Sequence, residues 1–354
     1  MRRRLRAGIR TRVLIGCVIL LVVIALGEVA LEIIGFGHPA LAVLNEAAQY
    51  ELMPNQHIRR LWPLSDSWVS HLDTNQYGMR SMPVSPVKPP DTLRIYFLGD
   101  SITYGTTQVD QSQIFADLTR RELPSIVHQP VEALDGAMSS WAISNEFGYL
   151  KEHGTLQADR VILVLNDGDP AQPLAPKPSN YVIPSADFNP RWGYQELWYR
   201  AFKPRLQGIF RKHGIPLLQD GITQAPGIIV EFDPVVLKQN LQCLDQMRGY
   251  LQQNHTAFSI LFIPFPDADH NPVQRENARV GKSAIDAWAA RNQVPFLDIG
   301  PQIFTSDPNK ILLRDHVHFN VLGNREIATA IEQNWAKLTS TPAPAQSTRT
   351  HSAE

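Results

Sequence analysis

The chain has 354 residues, 44% of them hydrophobic and 19% charged, which is ordinary globular composition with room for one large domain or two modest ones. Arg2, Arg3, Arg4, Arg6, Arg10 and Arg12 precede residue 13 with no acid among them; the chain nets −1, and taking away those six positive charges leaves −7 on residues 13–354. That acidic remainder argues against a nucleic-acid partner. With only two cysteines, Cys17 in an apolar run and Cys243 in an expected helix, the fold must stand on its core rather than on a disulfide.

Residues 1–12 read as a basic tail. From Val13 to Phe36 the chain is apolar, broken only by Glu28 and Glu32. That length is enough to cross a bilayer, and the arginine cluster before it predicts a cytoplasmic N-terminus with the rest of the chain outside, in the periplasm. The alternative is a cleaved signal peptide, with Ala25 and Gly27 as the small residues at its cleavage site. Residues 37–90 show little periodicity and read as a juxtamembrane segment and linker. They contain Thr74-Asn75-Gln76-Tyr77-Gly78-Met79-Arg80, a turn with Gly78 supplying a positive φ, and a proline-rich connector from Pro83 to Pro90.

An alternating strand and helix pattern then begins. Strands are expected at 94–98, 131–134, 160–165, 258–262 and 296–299; helices at 114–123, 141–153, 234–253, 273–291 and 322–335. Val161-Ile162-Leu163-Val164 is an unbroken apolar run, suited to a strand buried on both faces. Asp233 and Pro234 make a helix start. The pattern predicts an α/β fold with a parallel sheet between helical layers, in a domain spanning 91–338. An insertion at 171–232 interrupts it. It carries Tyr181, Trp192, Tyr194, Trp198 and Tyr199, placed either to cover the site or to fix the insertion to the core. Residues 339–354 are rich in Ser, Thr, Pro and Ala, and disorder is expected there.

The first strand ends in Gly99-Asp100-Ser101, which puts a hydroxyl where open α/β sheets bind their ligands. Near the C-terminus stands Asp315-His316-Val317-His318. A serine is a weak nucleophile until an imidazole takes its proton, and the imidazole needs an anion on its other nitrogen. Together these blocks resemble the SGNH (GDSL-type) hydrolases over roughly residues 94–338. The resemblance implies Ser101 as nucleophile, His318 as base and Asp315 as the orienting acid. It also implies an oxyanion hole made by the Ser101 N–H, the N–H of Gly136 after the second strand, and the side-chain amide of Asn166 after the third. One departure is Val164, where the family usually has glycine two residues before the asparagine. His316 competes as the base, while Asp100 and Asp169 read as structural acids. The Thr-Asn-x-x-Gly-x-Arg element is similar to one in envelope-anchored members.

What the resemblance implies is a flavodoxin-like three-layer α/β/α fold, preceded by a transmembrane helix and running ester chemistry with no metal or cofactor. The activity expected is that of a membrane-anchored serine esterase or O-acyltransferase, with the O-acetyl groups of an envelope polysaccharide as first candidate substrate. The alternative is a non-catalytic glycan-binding or envelope-assembly module on the same fold.

Overall fold

The computed structural model describes residues 2–61, 68–176, 190–212, 232–266, 272–305 and 307–340. Five parallel strands form the central sheet: β5 (Leu93–Gly99), β6 (Val131–Ala137), β7 (Arg160–Leu165), β8 (Ala257–Phe262) and β9 (Phe296–Asp298). Their order is β6-β5-β7-β8-β9, the flavodoxin-like arrangement. The chain leaves β5 to one side for β6 and returns to the other for β7, so a crevice opens beyond the carboxyl ends of β5 and β7.

Helices cover both faces. On one, α5 (Ile143–His153), α8 (Pro234–Gln253) and α9 (Pro272–Asn292) pack Leu150, Leu244, Met247 and Trp288 against Tyr96, Leu98, Leu163 and Ile260. On the other, α3 (Phe115–Glu122), α11 (Val321–Gln333) and α12 (Trp335–Thr339) pack Phe115, Leu118, Ile327 and Leu338 against Ile95, Phe97, Ile162 and Val164. Both sides of β7 are therefore buried, as its unbroken apolar run requires. The short helices α2 (Ser101–Tyr104), α4 (Pro124–Val127) and α10 (Gly300–Ile303) fill connections, and α6 (Gly193–Leu197) and α7 (Lys203–Lys212) belong to the insertion.

At the N-terminus, α1 runs from Arg2 to Ile33, and its stretch Thr11–Ile33 is long and apolar enough to cross a membrane. The expected linker at 37–90 is corrected. It folds into two antiparallel hairpins, β1 (Ala42–Asn45) with β2 (Gln49–Leu52) and β3 (His57–Leu61) with β4 (Val69–Asp73). Ala48, Tyr50, Leu52, Met79 and Val84 from this segment lie buried in the same core as α5 and α8. Even the proline-rich stretch is tied down, with Lys88 donating its N–H to Gln157 at 2.8 Å and its ammonium to Asp159. Tyr181 and the tail from residue 341 lie outside the described residues.

Candidate active site

β5 ends at Gly99, and Ser101 opens the one-turn helix α2 directly behind it. Asp100 caps that turn, its carboxylate accepting the Ile102 N–H at 2.8 Å. Gly105 closes it with φ 75°, a left-handed conformation that favours glycine. Gly99 is needed for close approach: a Cβ there would collide with the Thr103 hydroxyl and crowd the Val164 carbonyl.

The histidine arrives from the other end of the chain on a pinned loop. Leu312 bridges to Phe319, and the Leu313 N–H bonds the His318 carbonyl at 2.7 Å. Between them His316 takes φ 58°, so the chain reverses within four residues. The Asp315 carboxylate caps the reversal, accepting the Val317 N–H at 3.1 Å and the His318 N–H at 3.0 Å. Those two bonds bring carboxylate to imidazole across a three-residue step. Asn320 then caps α11 through the Gly323 N–H while its amide holds the Lys310 carbonyl at 2.8 Å. A Cβ on Gly323 would collide with the Ile311 carbonyl, so that close approach requires glycine.

The result is a continuous relay. His318 Nε2 stands 2.8 Å from Ser101 Oγ, and its Nδ1 stands 2.8 Å from Asp315 Oδ2. The His318 side chain is 16% exposed and that of Asp315 43%, so the imidazole is shielded while the acid's outer edge meets water. Burial pushes the Asp315 carboxyl up, but the His318 ring, its charge and the two N–H donors outweigh burial and hold it below its ordinary value. His316 is exposed on the outside of the reversal.

Strand register locates the oxyanion candidates. Gly99 is level with Val164, so Asn166 stands level with Ser101 across the crevice. Asn166 is buried, with Oδ1 accepting the Gly168 N–H at 2.8 Å, which orients Nδ2 toward the Asp100 carboxylate at 3.0 Å. That amide has a second hydrogen for an incoming oxygen. Gly136 is set apart. It lies inside β6, level with Leu98 and so short of the Gly99 end of β5 from which Ser101 projects. Its missing side chain makes room for the rings of Tyr96 and Tyr149. The strand runs on through Ala137, and the loop Met138–Trp141 is what reaches Ser101's level. That loop is held by the Tyr50 hydroxyl on the Ser139 carbonyl at 2.9 Å and by the Gln172 amide on the Ser140 carbonyl at 3.0 Å. Val164 faces the α3 and α11 core, so the departure from glycine is a packing matter.

Two further features lie beneath the site. Arg80, 1% exposed, donates to the carbonyls of Tyr104 and Thr106 at 2.7 Å and of Val109 at 2.6 Å, clamping the turn that follows Ser101. Its own placement comes from Asn75, whose side chain accepts the Tyr77 and Met79 N–H groups, and from Gly78. The other feature is a set of three buried carboxyl groups, Asp100, Glu146 and Asp169. Burial raises all three above their ordinary values, and mutual repulsion adds to it for Glu146 and Asp169. Asp169 holds the Asn166 N–H at 2.7 Å, as expected of a structural acid. Among the described residues no cluster of metal-ligating side chains occurs.

A parallel α/β/α sheet with a serine and an imidazole meeting at its switch point is the frame of a serine hydrolase. Residues 97–326 match the GDSL-like lipase/acylhydrolase family, and the chain belongs to it. The family makes this an ester-hydrolysing enzyme. Its fold is similar to that of LAE5, an alpha/beta hydrolase enzyme from the metagenome of Lake Arreo, at 14% identity and TM-score 0.43, covering 72% of this chain and 99% of that one. It is also similar to a catalytic mutant of Axe2, an acetylxylan esterase from Geobacillus stearothermophilus, at 12% identity and TM-score 0.41, covering 72% and 97%. A lipase/acylhydrolase from Enterococcus faecalis aligns at 14% identity and TM-score 0.37, covering 71% and 100%. No curated protein sequence matches the chain.

Proposed function

We propose that the protein is a membrane-anchored, extracytoplasmic serine esterase that cleaves acyl esters through Ser101, His318 and Asp315. The observation that carries this reading is the unbroken Ser101–His318–Asp315 hydrogen-bond relay. His318 takes the Ser101 proton as Oγ attacks the ester carbonyl, and Asp315 stabilises the imidazolium that forms. The carbonyl oxygen gains charge and is received by the Ser101 N–H and the Asn166 amide, each such donor contributing about 3–4 kcal/mol to the transition state. A second backbone N–H comes from the Met138–Trp141 loop after β6, in the place the resemblance gives to Gly136. His318 returns its proton to the departing alkoxide, leaving an acyl-enzyme. Water then attacks the acyl carbon and regenerates Ser101; where a sugar hydroxyl attacks instead, the same site is an O-acyltransferase. An O-acetylated envelope polysaccharide is the substrate class proposed, supported by the resemblance to envelope-anchored members and by the basic N-terminus that would place the domain outside.

The test is turnover of p-nitrophenyl acetate by the full-length protein in detergent. Wild type should show saturable hydrolysis and Ser101→Ala only the background rate. Equal rates for the two would overturn the reading.

A further inference from the structure

From Val13 to Ile24 the large apolar side chains of α1 stand exposed, but its far end is built into the protein. Glu28 is buried and its carboxylate accepts two N–H groups at the start of α6, those of Gly193 and, at 3.1 Å, Tyr194. The Tyr194 hydroxyl donates back to the Ile24 carbonyl at 3.3 Å. Gly27 permits this, because a Cβ there would collide with that hydroxyl. A second buried carboxylate, Glu196, accepts the Gly37 N–H at 2.8 Å and pairs with Arg60 of β3. The turn at 193–196 is thereby fixed to both the helix end and the first hairpins.

Counting residues gives its depth. Glu28 lies sixteen residues beyond Arg12, about 24 Å along a helix axis, against a hydrocarbon core of roughly 30 Å. With Arg12 at the inner boundary, Glu28 stands just inside the outer one, where an unpartnered carboxylate is costly. The Gly193 and Tyr194 N–H groups are its partners, so they must reach that level too. From there a helical stretch continues through a π turn at Trp198–Phe202 into α7. Trp198, Phe202 and Ile209 are exposed, at spacings of four and seven that share one face. The Trp198 and Phe202 rings stack 6.5 Å apart, and Trp192 and Tyr194 extend the exposed patch toward α1. Lys203 and Arg205 lie alongside in sequence. Aromatic rings with one polar edge and basic groups above them are what a bilayer interface selects.

We propose that Trp192–Phe210 is an interfacial element that lies on the outer leaflet of a phospholipid bilayer. It is bolted to the anchor through Glu28, and so holds the hydrolase domain at a fixed height and orientation. The inference rests on α1 being a retained span. Lipid is the occupant because the patch is continuous with the exposed apolar surface of α1 and because Glu28 sets its depth.

The experiment uses full-length protein in phospholipid vesicles, with Cys17→Ser and Cys243→Ser and an environment-sensitive dye on Phe202→Cys. Quenching by phospholipids carrying a nitroxide near the head of the acyl chain is compared with that of the same dye on Gln252→Cys, an exposed position at the end of α8. Quenching should be several-fold stronger at 202, in protein that resists carbonate extraction. Equal quenching in carbonate-resistant protein would overturn the docking and leave the span intact. Release by carbonate would overturn both. A dye at 202 shielded from water but unquenched by lipid, in chains that cross-link to each other, would assign the face to a second copy and overturn the proposal. Ester turnover equal to the parent's verifies the labelled chains; if position 202 disturbs it, Ile209→Cys carries the dye.

Discussion

At the scale of single residues, two histidines flank Val317 and only one meets Ser101. His318 reaches it because Asp315 caps the reversal through backbone N–H groups before touching the imidazole. His316 supplies the left-handed corner and is exposed to solvent. His318→Ala should therefore lower kcat on the order of 10³–10⁶-fold, since members of a serine triad act as a unit. His316→Ala should cost under about tenfold, and His316→Gly less still, because glycine relaxes a positive φ. Steady-state rates with circular dichroism matching wild type check both; an inactive His316→Ala beside an active His318→Ala would reassign the base. Asp315 has a second role with its own signature. Its folded carboxyl is held low, so the stability it contributes is present above its unfolded value, near pH 4, and is lost as pH falls through the folded value. Asp315→Asn should flatten the acid side of the Tm-against-pH curve as well as lowering kcat.

At the scale of elements, the buried groups behind the nucleophile turn make the sharpest expectations. Arg80 holds three carbonyls of the 104–109 turn, and each buried acceptor left unmatched costs about 1–3 kcal/mol. Arg80→Ala should cost roughly 3 kcal/mol or more in urea unfolding. Arg80→Lys keeps the charge but not the fork, and should lower kcat more than it changes KM if the turn positions Ser101. Glu146 works in the opposite direction to Asp315. Its folded carboxyl is raised, so the folded state binds the proton more tightly, and stability declines as pH rises from the unfolded value toward the folded one. Glu146→Gln should remove part of that decline, read as a smaller Tm loss than in wild type as pH rises from about 5 to about 8. The same elements show what the sequence made legible. β7 and α8 could be read directly, one from its unbroken apolar run and the other from its Asp-Pro start. Ser101, Asn166, Asp315 and His318 could be read from resemblance and fall together in space. The hairpins could not. In β3 the inward positions are Ile58 and Arg60, and the Arg60 guanidinium is met there by Glu196 from the distant insertion. The second strand is expected to stop at residue 134, because the acid and glycine that follow are residues that usually mark a turn. Here Asp135 is buried in the strand near Arg80, and Gly136 accommodates two tyrosine rings.

At the scale of the whole molecule, buried carboxylates join the N-terminal parts to the insertion: Glu28 ties the end of α1 to α6, and Glu196 ties the insertion to Gly37 and to Arg60 of β3. The arginine-rich start predicts an inside N-terminus. Alkaline phosphatase fused after Ser340 should be active and a cytosolic fluorescent reporter at the same place dark; the reverse pattern would invert the topology. The central claim is that this assembled molecule carries an activated serine at the switch point of its sheet. It is tested most directly by reacting the full-length protein with a fluorophosphonate and locating the adduct by peptide mass spectrometry. The account predicts a single modification on Ser101, formed fast in wild type, slowed by orders of magnitude in His318→Ala and absent in Ser101→Ala. Labelling that survives Ser101→Ala unchanged, or that is indifferent to His318, would contradict it.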